Sequence, residues 1–277
     1  MFNPYARPPL SPQAMLHSLL ENRVLIARLA RRDIAARYRG SFGGLLWAVV
    51  QPLLMLAVYT FVFSVVFKAR WGEGLTQSRT EFAIVLFAGL LVHALVAETW
   101  NAAPALVLAN TNYVKKVVFP LEALPVIALC VALFQCLVGV AVLLAAEWFL
   151  SGSVPATAPF FIFTLAPLLL LVLGGAWTLA ALGVYVRDVT QVAQIFTNIL
   201  LFISPVFFPL SAIPEKFRWA VRCNPLSFLM GQARDALVWG NMPNWAGLLA
   251  YTAGAFLFAW LGYVFFQATR RGFADVL

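Results

Sequence analysis

Charge disappears from this chain in long blocks. Leu45–Phe67 carries none, Phe82–Ala103 carries only Glu98, and Ala123–Ala146 is again uncharged. The next uncharged run, Trp148–Val186, is too long for one membrane crossing unless the polar Ser151–Pro159 leads into it. Val189–Pro214 and Asn244–Thr269 complete the series. A crossing needs about 20 apolar residues, each rising about 1.5 Å. The pattern therefore predicts an all-α polytopic membrane protein forming one domain over 1–277, with six transmembrane helices. Their expected bounds are 45–67, 82–103, 121–147, 159–186, 189–210 and 244–268. An N-terminal amphipathic interface helix over 17–40 precedes them, and 211–240 is read as short re-entrant outer helices.

Composition agrees with that class. Of 277 residues, 62% are hydrophobic and 11% charged, where a soluble domain carries about 25% charged residues. Mean hydropathy is +0.87. Met1–Leu20 has three early prolines and no apolar core, so it does not read as a cleaved signal peptide, and the first span is expected to be retained. With six spans both ends share a side, and the 19 Lys and Arg divide 12 to that side and 7 to the other. By the positive-inside rule both termini are cytoplasmic. The net charge of +8 is then orientation and headgroup contact, with no soluble module to carry a nucleic acid. Cys130, Cys136 and Cys223 are too few and too scattered for a disulfide framework or a zinc site.

The junction before the first span concentrates charge. In His17–Tyr38 the apolar Leu20, Val24, Leu25, Leu29 and Ile34 recur at roughly three and four, with arginines between them. Such a segment lies in the interface plane, its apolar face in the acyl boundary and its arginines at anionic headgroups. An ordinary surface helix has the same composition. Gly40, Gly43 and Gly44 permit a sharp bend into the span, and Pro52 frees a carbonyl within it.

The run RDIAARYRGSFGGLLWAVVQPLLMLAVYTFVFSVVF closely resembles the first signature of the permease subunits of polysaccharide ABC exporters, which move O-antigen, capsular or teichoic-acid polymers. Asn110–Val126 resembles that family's first cytoplasmic loop, Val184–Pro214 its fourth-to-fifth span signature, and Asn224–Gly240 its last outer segment. The resemblance implies six helices per subunit and a homodimer with two ABC ATPase subunits, on which ATP and Mg would bind. It also implies an inner-membrane location and a lipid-linked, O-antigen-like polysaccharide as cargo. The residues it assigns to ATPase coupling are Arg31, Arg32, Asp33, Arg37, Tyr38 and Arg39 on the surface helix. Lys115 and Lys116 join them from the first cytoplasmic loop, and Arg187 and Asp188 from the second. Asp188 is also placed to cap the helix from Val189.

The residues themselves narrow the chemistry. No G-x-x-x-x-G-K-[ST] is present, so energised work draws on a partner or an ion gradient. Glu98, with Asn101 at i+3 on its face, is the one carboxylate inside an apolar block, either a proton relay or an interfacial acid. No paired carboxylates or metal cluster point to catalysis, and the chain reads as a transport subunit binding no cofactor or metal. Pro205, Pro209, Pro214 and Pro225 are too many for one straight span; with Ser204 and Asn224 they mark an outer gate. Among 24 Phe, 9 Trp and 7 Tyr, the rings Trp47, Tyr59, Phe63 and Trp100 on the first two spans are the candidates for a glycan-lining path. Six helices pack around side chains, so a path wide enough for a sugar chain calls for two copies. The rival readings are an exporter of small hydrophobic compounds and a membrane-embedded enzyme acting on lipid-linked sugars.

Overall fold

The computed structural model describes residues 10–66, 79–115, 119–209 and 212–277, without the side chains of residues 63–65, 79, 80, 114 and 115. All regular structure in them is helical. The chain opens with α1 (Pro12–Glu21) and α2 (Arg23–Tyr38). Ser11 caps α1 by accepting the Ala14 N–H at 3.1 Å, and Pro12 occupies the first turn, where no donor is missed. The single interface helix expected over 17–40 is instead two. Asn22 separates them, its side-chain amide donating to the Ser18 carbonyl at 2.8 Å. An Asn that bonds its own backbone competes with the helical ladder.

Gly40 and Gly44 take the left-handed φ values of 85° and 49°, which turn the chain upright into α3 (Trp47–Tyr59). A π-helical turn, Thr60–Val66, continues α3. Pro52 lies inside α3 and has no N–H for the Ala48 carbonyl. That carbonyl is taken by the Gln135 side-chain amide at 3.2 Å, whose oxygen accepts the Tyr38 hydroxyl at 2.7 Å. One amide thus repairs the proline's missing bond and fastens the end of α2 to the start of α3.

The remaining elements are α4 (Arg79–Ala102), α5 (Thr111–Lys115), α6 (Ala123–Ser151), α7 (Phe161–Tyr185) and α8 (Val189–Ile203). They are followed by α9 (Glu215–Cys223), α10 (Pro225–Arg234), α11 (Trp245–Thr269) and α12 (Phe273–Val276). α4 is the central post, 78% buried over its apolar window, with α3, α6, α7, α8 and α10 around it. α7 and α11 form the closest pair. A Cβ on Gly262 would collide with the Gly174 carbonyl, so two glycines set the approach. In lipid such small-residue contacts replace the hydrophobic drive that water would supply.

Among the described residues five helices are long and apolar enough to cross a membrane: Gly44–Val62, Glu81–Ala105, Ala123–Ser151, Ala158–Tyr185 and Trp245–Val276. The apolar segment expected over 189–210 departs from that pattern. Its helix, α8, stops at Ile203 after 15 residues, about 22 Å. The reason is Pro205, whose ring disfavours the helical conformation of the preceding Ser204. Ser204 is extended, at φ −76° and ψ 150°.

The Gln135 repair yields a double-mutant cycle. Gln135→Leu should destabilise the folded protein by about 1–3 kcal/mol, through an orphaned carbonyl and hydroxyl. In a Pro52→Ala background, where a backbone N–H reaches Ala48 again, part of that cost should vanish. Thermal unfolding of the four proteins in detergent reads the coupling.

Candidate functional site: a surface junction and an outer broken helix

The sequence-predicted coupling residues separate into two groups. Arg32, Asp33, Arg37 and Tyr38 meet the spans, and Glu98 meets them. The Arg37 guanidinium pairs with the Glu98 carboxylate at 2.5 Å, bonding α2 directly to α4. Arg32 holds Asp33 at 3.0 Å and faces Tyr113 of α5; the phenol and the carboxylate push its pKa up from the ordinary arginine value. These side chains line a cavity of about 280 Å³ walled on the far side by Leu124 and Ile127 of α6. Surface helix, α4, α5 and α6 therefore converge on one charged, half-apolar hollow.

Arg31, Arg39, Arg187 and Asp188 stand outside it, exposed. Asp188 precedes α8 but does not cap it. Its backbone is already helical, at φ −68° and ψ −12°, and its side chain makes no capping bond. Lys115 ends α5, its side chain not described, and Lys116 lies outside the described residues.

Glu98 and Asn101 serve different neighbours. Glu98 takes Arg37, whereas the Asn101 oxygen accepts the Thr197 hydroxyl of α8 at 3.0 Å. His93 approaches the Thr197 carbonyl at 2.9 Å. Glu98 thus belongs to the surface junction, and α4 and α8 share a separate polar seam.

Sequence reasoning missed Glu122. Its buried carboxylate accepts the Ser18 hydroxyl of α1 at 2.8 Å and the Arg270 guanidinium beyond α11 at 2.9 Å. Arg270 also donates to the Phe119 carbonyl, and the Trp177 indole of α7 donates to the Glu122 carbonyl. One residue joins both chain ends to the segment after α5. The signal was a lone acid between Pro120 and Pro125, just outside the uncharged run that drew attention.

At the opposite end, the interruption after α8 is held by Ser204, Val206 and Asn224. The Ser204 hydroxyl donates to the Leu200 carbonyl at 2.5 Å and accepts the Asn224 amide at 2.8 Å. The Asn224 oxygen caps α10 through the Leu226 N–H. Pro205 and Val206 are buried, Pro209 is half-buried, and Pro214 is exposed at the head of α9. Pro225 starts α10, and its carbonyl accepts the Tyr251 hydroxyl. The second missed residue is Arg234, only 2% exposed, which donates to the carbonyls of Val85 at 2.9 Å and Val206 at 3.2 Å. Gly89 leaves room for it, since a Cβ there would meet the guanidinium. Arg234 was counted above as an outer positive charge for orientation. Its burial removes it from that tally.

The aromatic candidates also divide. Trp47 is half exposed at the foot of α3, and Tyr59 packs on Phe82 and Val85. The side chain of Phe63 is not described. Trp100 is corrected: it is 6% exposed, its indole donates to the Val172 carbonyl at 2.9 Å, and it lies against Gly175. It cements α4 to α7 and offers no ring face to a lumen.

A bundle of apolar crossings with an arginine-rich helix bonded to one end of the central one is the architecture of a multi-pass membrane protein. Residues 24–238 match the ABC-2 type transporter family, and the chain belongs to it. It is 25% identical over 268 residues to the O-antigen export system permease protein RfbA of Myxococcus xanthus, covering 94% of this chain and 98% of that one. A Klebsiella pneumoniae protein of the same name is 24% identical, covering 91% and 95%. The polysialic acid transport protein KpsM of Escherichia coli is 25% identical over 231 residues, 82% of this chain and 86% of its own. Permeases of this family are transport subunits rather than enzymes, and the ATPase of such systems is a separate chain.

Breaking the Glu122 pair should leave Arg270 without its carboxylate. Glu122→Ala is expected to cost about 2 kcal/mol, below the roughly 3–5 kcal/mol of a fully buried pair because Arg270 is partly exposed. Replacing both by Met should recover most of that loss. Unfolding midpoints in detergent decide it.

Proposed function

We propose that this chain is the membrane half of an ATP-driven exporter that carries a lipid-linked, O-antigen-like polysaccharide out of the cytoplasm. Two copies form the path, and two ABC ATPase subunits, binding ATP and Mg, drive it from below. The protein sits in the inner membrane with both termini cytoplasmic. The family and the relatives named for O-antigen and polysialic acid transport support the cargo class.

The observation that carries the coupling reading is the hollow between α2, α4, α5 and α6. A push on α5 or on the exposed Arg31 and Arg39 reaches α4 through Tyr113, Arg32, Arg37 and Glu98 without crossing lipid. The Glu122 node supports an even number of crossings. It joins Ser18 and Arg270, which supports both ends of the chain lying at one face. Five crossings would separate them. α8, with the bonded turn of residues 204–209, supplies the sixth, and α9 and α10 return within the outer leaflet as the gate.

The test is export by the complex reconstituted with its ABC ATPase, native against Lys115→Glu/Lys116→Glu. The double variant should still assemble but lose glycan export by about tenfold or more, with ATP hydrolysis no longer answering to cargo. Unchanged export would reduce these lysines to orientation signals. Failure of the native chain to bind any ABC ATPase would remove the exporter reading.

A further inference from the structure

α8 buries one narrow stripe, Ala193, Thr197 and Leu200, against its neighbours. Apart from the half-buried Val189, Thr190 and Leu201, the rest of its surface is exposed, and that surface has two characters. Val192, Ile195, Ile199 and Ile203 form an apolar arc. Gln191, Gln194 and Asn198 recur at three and four and form a second stripe, exposed and made only of amides. At about 100° per residue the amide stripe lies to one side of the buried seam, while Phe196, stacked on Trp100 at 5.9 Å, lies to the other.

This stripe runs inward from the α2 junction. Thr197 bonds Asn101 near the end of the crossing Glu81–Ala105 and His93 midway along it, so Asn198 stands within the span while Gln194 and Gln191 lie successively nearer the level of Glu98. Amides turned to hydrocarbon would each cost several kcal/mol, and polar side chains within a span face protein or a water-filled cavity. On α4 Ala94 is exposed and Ala97, Glu98 and Asn101 are half-exposed, so the face that holds Thr197 through Asn101 is small and polar and carries the Arg37–Glu98 pair. An amphipathic crossing of this kind divides lipid on one arc from water on the other.

We propose that Gln191, Gln194 and Asn198 form a hydrogen-bonding track that contacts the hydroxyls of the sugar chain as it passes. The proposal rests on the exporter reading above. Each amide is at once donor and acceptor, as is each sugar hydroxyl. The track has no charge, so no single position holds the chain in a deep well; the one cation in register, Arg187, stands before α8 at the cytoplasmic mouth.

The experiment uses the permease–ATPase complex in proteoliposomes, in a background of Cys130→Ala, Cys136→Ala and Cys223→Ala. Single cysteines at 194 and 198, and at 195 and 199 as controls, meet a charged, membrane-impermeant methanethiosulfonate. Labelling at 194 and 198, with 195 and 199 protected, is the expected result. In parallel, Gln194→Leu/Asn198→Leu should assemble and hydrolyse ATP, while export of lipid-linked glycan falls about tenfold. Protection of 194 and 198 would overturn the track, as would wild-type export by the double Leu variant. Disulfide formation between copies at 198 with loss of the dimer in the Leu variant would also overturn it, placing the stripe in a subunit seam. If the unmodified complex exports no glycan while 194 and 198 label, the exporter reading fails, and the water-facing wall alone survives.

Discussion

The structure depends on a rule of its solvent: in hydrocarbon no backbone donor or acceptor can be left for water to satisfy. Prolines interrupt the backbone ladder inside the apolar helices, and at two of them, Pro52 and Pro205, a side chain from another helix bonds a nearby carbonyl. Pro52 frees the Ala48 carbonyl, and Gln135 of α6 takes it. Pro205 ends α8, and Arg234 reaches the Val206 carbonyl from α10 while holding Val85 of α4. These repairs are also tertiary contacts, because the donor always comes from another helix. Irregular backbone therefore costs little and ties the bundle together.

The same economy of position governs the end of the bundle that carries α2. Arg37 is a headgroup-facing arginine by sequence, yet it is bonded to Glu98 of the central helix. Glu122 collects Ser18 and Arg270, so the two chain ends and the segment after α5 share one buried carboxylate. The positive charge beside the first span has two uses. Arg31 and Arg39 remain exposed for headgroups or a partner, and Arg32 and Arg37 fasten the surface helix to what it would move. A static anchor has no need of the second group.

Much of this was legible in the sequence. Uncharged blocks locate the crossings, because burying charge in lipid is costly enough to leave a visible gap. The glycine bend at Gly40 and Gly44 was readable for a similar reason, since few other residues adopt those angles. The division of the 17–40 segment at Asn22 was not, because hydrophobic spacing continues smoothly across it. Periodicity also could not say that Trp100 turns inward to the Val172 carbonyl, or that Asp188 leaves α8 uncapped. The pairings of Arg37 with Glu98, Arg270 with Glu122 and Arg234 with two carbonyls join residues 28 to 149 positions apart. Such contacts are set by packing, to which local pattern is blind.

The central claim is that the surface helix acts on the central span through Arg37 and Glu98. The most direct measurement is a charge-exchange series, Arg37→Glu, Glu98→Arg and both together, read as ATP-driven glycan export by the reconstituted complex. Each single variant places like charges in contact and should lose export while still binding the ATPase. The double variant restores an opposite pair and should recover a large part of it. Wild-type export by either single variant, or no recovery in the double, would contradict the account.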